Sequence, residues 1–245
     1  MTNFFPSRTV CVFALLAAFI APVALAGQFS VAPVRIFMAP KERAAAITIT
    51  NESDEPLVMQ ADVFTWKQKP DGEDDLAPSE DLFLSPPIIK LAPHARQVVR
   101  LAVLKPAASP EQQTYRMIVR EVPEANSPDK AVQVQIALAF SLPVFITPPD
   151  VRRDLTCSIE RSSADTASAT CQNAGKAYVQ PREFTLVSTS GAKLASRDSG
   201  GYILPGMKRG FELKGANGTL AAGNAKLVVS LDDGTSQTFE AAVRD

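Results

Sequence analysis

Apolar and polar residues alternate along a long stretch, Ala131 to Pro148, which reads "AVQVQIALAFSLPVFITP". Six apolar side chains of this stretch share one parity: Val132, Val134, Ile136, Leu138, Phe140 and Leu142. A period of two predicts a β-strand with one apolar face. Strands of globular domains have about 5 to 6 residues. This stretch therefore carries more apolar positions than one ordinary strand needs.

The rest of the chain also predicts strands. Short alternating segments follow one another from Phe29 onward, separated by proline, glycine and acidic turn residues at the spacing of β-sandwiches. No segment shows a helical period of useful length, so we predict an all-β fold. The segment "TPPDVRRD" interrupts the pattern with prolines and charges, which is typical of a linker. We place the domains at residues 27–148 and 149–245.

One acidic segment between two predicted strands, "KPDGEDDLAPSED", is rich in turn-forming residues. We interpret it as a solvated loop. A calcium-binding loop needs oxygen ligands at regular spacing, which this segment lacks.

The first 26 residues have the layout of a secretory signal. Arg8 supplies the positive charge, an apolar core follows, and Ala24-Leu25-Ala26 supplies a cleavage site with small residues. We expect an exported protein whose mature chain begins near Gly27. The alternative is an uncleaved anchor.

Two of the three cysteines, Cys157 and Cys171, remain after removal of the signal peptide. An even number in an exported chain predicts one disulfide, worth about 3 kcal/mol for a loop of this size. Two free thiols are the alternative, which an oxidising compartment disfavours. His94 is the single histidine, so the chain lacks the ligands of a zinc site, and we predict neither a metal nor a cofactor.

The formal net charge of −1 disfavours binding to nucleic acid or to anionic membranes. The sequence contains no nucleophile elbow, phosphate-binding loop or dinucleotide-binding fingerprint. The paired carboxylates Asp74-Asp75 and Asp232-Asp233 lie in turn-like surroundings, where we interpret them as surface charge. We therefore predict that the protein is not an enzyme.

Four segments of the first domain, in this order, resemble the periplasmic chaperones that assemble pili with an outer-membrane usher: "VRIFM", "SPPIIKLAPHARQVVRL", "YRMIVREVP" and "VQIALAFSLPVFITP". The resemblance covers about 120 residues and points to the alternative or archaic branch of the family. It implies two immunoglobulin-like β-sandwich domains set at an angle. It also implies a function: the chaperone lends a strand to an incomplete pilus subunit, and strand addition of this kind is a known recognition mode in the family.

The resemblance assigns the surplus apolar row to subunit binding. The donor positions fall on Val134, Ile136 and Leu138, with Val132 and Phe140 as extensions. The alternative is an ordinary strand that is buried on both faces.

The resemblance also implies a basic pair that captures the C-terminal carboxylate of the subunit. Arg35 occupies the first position, but Pro143 stands where better-known members have a lysine, and Arg116 is our candidate replacement. Glu121 matches an acid that braces the two domains. Its usual basic partner is replaced by Thr147, so Arg152 or Arg153 would have to substitute.

These inferences predict a periplasmic protein that binds pilus subunits one to one and delivers them to an outer-membrane usher. Because an exposed apolar edge strand invites pairing, we also expect weak self-association. The alternative function is a secreted structural or adhesive module made of two β-sandwiches.

Overall fold

The computed structural model describes residues 29–105, 109–123, 137–216 and 218–244, and the predicted signal peptide lies outside these ranges. The fold is all-β, as predicted, and the described residues contain no helix. Accordingly, these residues include no helix with the length and apolar character needed to cross a membrane.

The first ten strands build the first domain: β1 (Phe29–Ala32), β2 (Ile36–Met38), β3 (Ala44–Asn51), β4 (Leu57–Gln68), β5 (Asp74–Pro78), β6 (Leu82–Ser85), β7 (Ile88–Leu91), β8 (Arg96–Val103), β9 (Gln113–Glu121) and β10 (Ala139–Ile146). They form a four-stranded sheet in the order β1-β3-β8-β6 and a six-stranded sheet in the order β2-β10-β9-β4-β5, with β7 beside β4. The chain thus changes sheets between β1 and β2.

The core of the first domain lies between these two sheets. Every strand of the domain except β5 contributes alternate residues to it, because successive side chains of a strand point to opposite faces. The four-stranded sheet provides Ile47 and Ile49, and the six-stranded sheet provides Met117, Leu142 and Val144, all buried. The even-numbered residues at the end of β10 are therefore core residues of the sandwich.

Seven strands build the second domain: β11 (Leu155–Arg161), β12 (Thr166–Asn173), β13 (Pro181–Ser188), β14 (Lys193–Asp198), β15 (Lys208–Gly215), β16 (Gly223–Leu231) and β17 (Ser236–Val243). They form one sheet in the order β11-β12-β15-β14-β13-β16-β17. This domain has its own apolar core, which includes Phe184, Leu186 and Leu213.

A separate apolar cluster of four buried side chains joins the domains: Trp66, Phe145, Tyr178 and Leu204. Trp66 and Phe145 come from the first domain, and the other two come from the second. The rings of Phe145 and Tyr178 stack with their centroids 4.2 Å apart. Trp66 is thus an aromatic anchor of the domain interface.

Two buried glutamines of the first domain bind backbone groups of the second. Gln68 donates to the carbonyl of Tyr202 and accepts from the N–H of Leu204, both at 2.9 Å. Gln112 accepts from the N–H of Tyr178 at 2.9 Å. Since an unpaired buried amide costs about 1 to 3 kcal/mol, these bonds restrict the angle between the domains.

The prediction that the acidic segment is a loop is wrong in part, because Asp74–Pro78 forms β5 and pairs with β4. All five residues of β5 are exposed. An edge strand with solvent on both faces needs no apolar alternation, so its sequence gives no strand signal.

Cys157 and Cys171 form the predicted disulfide, which joins directly opposed residues of β11 and β12. Replacing both cysteines with alanine should lower the free energy of unfolding of the mature protein by about 3 kcal/mol. Urea unfolding measures this loss, and Ser158→Ala on the same strand is the control. An unchanged unfolding free energy in the double variant would contradict the prediction.

Candidate functional site

Strand β10 has one fully paired edge and one partly open edge. It pairs with β9 along its whole length, from Ala139 to Ile146, but with β2 only from Val144 onward. The N–H of Glu121 donates to the carbonyl of Leu138, so the even-numbered residues of β10 bond to β9. The odd-numbered residues therefore direct their backbone groups to the other edge. Among the described residues, no strand pairs with this edge from 139 to 143.

The apolar row beside this open edge differs in burial from one residue to the next. Leu142 is buried, Leu138 is half-buried against the core, and Phe140 remains 41% exposed. The Phe140 ring makes an edge-to-face contact with the buried ring of Phe29, with the ring centroids 4.9 Å apart. The described part of the row is therefore buried at Leu142, exposed at Phe140 and partly buried at Leu138. The remaining predicted donor residues lie outside the described residues: Val132, Val134 and Ile136.

The outer face of the six-stranded sheet carries two arginines on either side of Pro143. Arg116 lies directly opposite Pro143 on β9. On the other side Ile36 is beside Val144, so Arg35 comes beside Pro143 when the register is continued by one residue. Neighbouring strands are about 4.8 Å apart. The backbones of the two arginines are thus about 10 Å apart, with a buried proline between them.

Arg35 lies where the open edge of β10 ends. Its Nη1 donates to Asp232 at 2.9 Å and to Gln180 at 3.4 Å, and both acceptors belong to the second domain. The side chain remains 29% exposed. The guanidinium is therefore fixed in position and still accessible to a ligand.

Asp232 is the centre of an ionic cluster between the domains. Its side chain is only 5% exposed and accepts from Arg35, from Arg153 at 3.1 Å and from the Tyr178 hydroxyl at 2.8 Å. The interpretation of Asp232 as surface charge is wrong, because the turn that holds it packs against the first domain. Its neighbour Asp233 does fit that interpretation, with a side chain 44% exposed.

Arg116 is held more tightly than Arg35. Its guanidinium lies over the Trp66 ring, 3.7 Å from the centroid, and donates to Asp74 at 3.1 Å. Only 13% of the side chain is exposed. Burial lowers the pKa of Arg116, and the Asp74 carboxylate opposes this effect. Asp74, like Asp232, thus pairs with an arginine of this site.

Glu121 does not lie at the domain interface. It ends β9, whereas the start of β9 at Gln113 pairs with Ile146 next to the linker. The two ends of this strand are about 26 Å apart. The structure corrects the predicted interdomain role, since Arg35 and Arg153 on Asp232 join the domains instead.

These features define a class of protein: a β-sandwich protein of two domains that presents a partly unpaired strand with an exposed apolar side chain, Phe140. The family model described as pili and flagellar-assembly chaperone, PapD N-terminal domain, matches residues 28–152. The chain belongs to this family of pilus-assembly chaperones, whose role is not enzymatic. The assignment favours the chaperone over the adhesive module.

Solved structures show the same fold. The archaic chaperone-usher complex of CsuC with the tip subunit CsuE, from Acinetobacter baumannii, gives a TM-score of 0.64 at 18% identity, covering 89% of this chain and 100% of that chain. The Escherichia coli chaperone DraB gives a TM-score of 0.56 at 19% identity, covering 89% of this chain and 97% of that chain. SafB in complex with the SafA pilin, from Salmonella enterica, gives a TM-score of 0.55 at 13% identity, covering 87% of this chain and 95% of that chain. Comparison with curated protein sequences gives no match.

Alkaline pH should weaken the domain interface. Burial, reinforced by the hydrogen bond to Asp232, raises the pKa of Tyr178 to about 12. An unfolded tyrosine ionises near pH 10, so the stabilisation from neutral Tyr178 is complete below about pH 10 and is lost as the pH rises towards about 12. Melting temperature against pH measures this loss. In Tyr178→Phe the decline should be shallower, and an equally steep decline would contradict the prediction.

Proposed function

We propose that this chaperone captures pilus subunits in the periplasm by donating β10 and the segment before it to an incomplete subunit sandwich. The open edge of β10 carries the proposal. It combines unpaired backbone groups with an exposed apolar side chain, Phe140, and strand addition uses both. Backbone bonds supply affinity for any extended strand, whereas the alternate side chains fill pockets of the partner.

The position of Arg35 determines the direction of the bound strand. Strand β10 runs from Ala139 towards Pro143, beside which Arg35 lies. If the C-terminal carboxylate of a subunit binds Arg35, its last strand must run towards Arg35 along the open edge. The subunit strand is then parallel to β10.

The donor side chains supply the apolar part of the affinity. Burying one large apolar side chain is worth about 1.5 to 3 kcal/mol. We propose that Phe140 and Leu138 contribute together with Val132, Val134 and Ile136. These five positions would give roughly 8 to 15 kcal/mol before the costs of ordering and association.

The two arginines have different roles in this proposal. Arg35 is accessible and supplies the direct contact to the carboxylate. Arg116 could bind the carboxylate directly only after breaking its ion pair with Asp74. We therefore propose that Arg116 attracts the carboxylate through its positive charge, without a direct contact. Charge-assisted hydrogen bonds of this kind are stronger than neutral ones.

The same proposal includes the location and the second partner. The structures of CsuC with CsuE and of SafB with SafA each contain a chaperone and a pilus subunit. By analogy, we propose that this chain is exported to the periplasm, forms one-to-one complexes with subunits and delivers them to an outer-membrane usher.

Substitutions along the apolar row test strand donation. Ile136→Asp and Phe140→Asp should abolish capture of a co-expressed pilus subunit, because a carboxylate cannot recover its hydration in an apolar pocket. Both free variants should keep their melting temperature. Leu142→Asp, in contrast, should unfold the first domain, since this position is core.

Val98→Asp is the matched control for these variants. Val98 is 45% exposed, close to the value for Phe140, but it lies on the outer side of the other sheet. It should leave both capture and stability unchanged. Normal capture by Phe140→Asp, or equal loss of capture in Val98→Asp, would refute donation through this row.

The role of Arg35 is tested against Arg153, which pairs with the same Asp232. Arg35→Ala and Arg153→Ala should lower the melting temperature by similar amounts. Only Arg35→Ala should also weaken subunit capture, by about 10-fold to 100-fold, because it removes a charged hydrogen bond. Equal affinities of the two variants in a binding titration would exclude Arg35 as the anchor.

A further inference from the structure

The three tyrosines differ in what their hydroxyl groups bind. The Tyr115 hydroxyl donates to Asp81 at 3.3 Å, and the Tyr178 hydroxyl donates to Asp232 at 2.8 Å. The Tyr202 hydroxyl makes no hydrogen bond to any described residue, although the Tyr202 side chain is half-buried. Because this hydroxyl is not among the buried side-chain atoms that lack a partner in the described residues, it is accessible to solvent and free to bind a ligand.

Tyr202 lies next to Arg116 and next to Tyr178, which shares Asp232 with Arg35. The Arg116 guanidinium is 5.5 Å from the centroid of its ring. The neighbouring ring of Tyr178, at 5.3 Å, carries the hydroxyl that shares Asp232 with Arg35. Burial raises the pKa of Tyr202, and the charges of Arg35 and Arg116 partly oppose this effect. The phenol is therefore neutral at physiological pH, with a hydrogen to donate.

The ring of Tyr202 is fixed in this place by other contacts. It packs edge-on against Trp66 at 5.2 Å and lies 5.8 Å from Phe145. Its carbonyl accepts from Gln68 at 2.9 Å and from Arg209 at 3.4 Å. The hydroxyl is thus held in position without taking part in the packing.

Between the two arginines the first domain offers no donor of its own. Pro143 is buried there, and its side chain has no hydrogen-bonding group. We infer that the Tyr202 hydroxyl supplies a direct hydrogen bond to the carboxylate that binds Arg35, so that the second domain contributes a ligand to the capture site. This inference rests on the proposed function, since it adds a second contact to the same carboxylate.

A phenol suits this position better than a third cation. Arg35 and Arg116 already supply positive charge. A third cation between them would repel both and destabilise the protein when no carboxylate is bound. A neutral O–H still forms a strong hydrogen bond with an ionised oxygen. Because the donor and Arg35 belong to different domains, carboxylate binding then depends on the angle between the domains.

Tyr202→Phe tests the inference, because it removes the hydroxyl and keeps the ring that packs on Trp66. The probe is a fluorescent peptide of alternating apolar and polar residues, prepared with a free C-terminal carboxylate and with a C-terminal amide. Anisotropy titrations give the affinity of each form for the wild-type protein and for the variant. Tyr115→Phe, which removes a hydroxyl from the first domain, is the matched control.

The wild type and Tyr115→Phe should bind the carboxylate form about 100-fold more tightly than the amide. In Tyr202→Phe this ratio should fall by about 10-fold, with unchanged affinity for the amide and an unchanged melting temperature. A wild-type ratio retained in Tyr202→Phe overturns the role of Tyr202 and leaves Arg35 as the anchor. A wild type that does not distinguish the two peptides overturns the proposed carboxylate anchor itself, and the role of Tyr202 with it.

Discussion

The alternation of side chains along β10 is the constraint on which the rest of the structure depends. Even-numbered residues such as Val144 fill the core of the first domain, whereas Phe145 enters the aromatic cluster between the domains. A shift by one residue would exchange these two sets of side chains. The register of β10 is therefore fixed at its C-terminal end by two apolar cores at once. This packed end also holds the preceding open edge in position.

The domain interface extends this rigidity to the charged groups. Asp232 holds Arg35 and Arg153 while it is nearly inaccessible to water. A buried carboxylate of this kind is costly unless several donors satisfy it, and the Tyr178 hydroxyl is the third donor. The ionic cluster thus orients Arg35 before a ligand arrives, which reduces the entropy lost on binding.

The sequence predicts most of the fold because the cores follow simple alternation. It predicts the disulfide and the alternation of the described part of β10, whereas Arg35 is assigned from the family resemblance. It does not predict that β8 and β9 belong to different sheets, because strand pairing between distant segments leaves no trace in local periodicity. It also misses β5, whose faces are both exposed.

The site is only partly visible in the sequence for a similar reason. Asp232 lies in an acidic turn, and such turns are usually solvated, so its burial depends on packing between the domains. Tyr202 follows two glycines, in a segment whose pattern predicts a strand, but the strand β15 begins only at Lys208. In contrast, the prediction for Glu121 rested on a family position alone, and the geometry of β9 places that residue at the wrong end of the strand.

The fixed register of β10 beside Arg35 has a consequence for any strand that binds there. Phe140 is three residues and Leu138 five residues before Pro143, which corresponds to about 10 Å and about 17 Å along the strand. In the proposed mode of capture, the C-terminal carboxylate of a partner binds Arg35 beside Pro143, so these distances are measured from that carboxylate. Strand β10 then selects partners by distance. It binds a partner whose apolar pockets lie at these distances from its C-terminal carboxylate, and it disfavours a partner whose last strand is one residue longer or shorter.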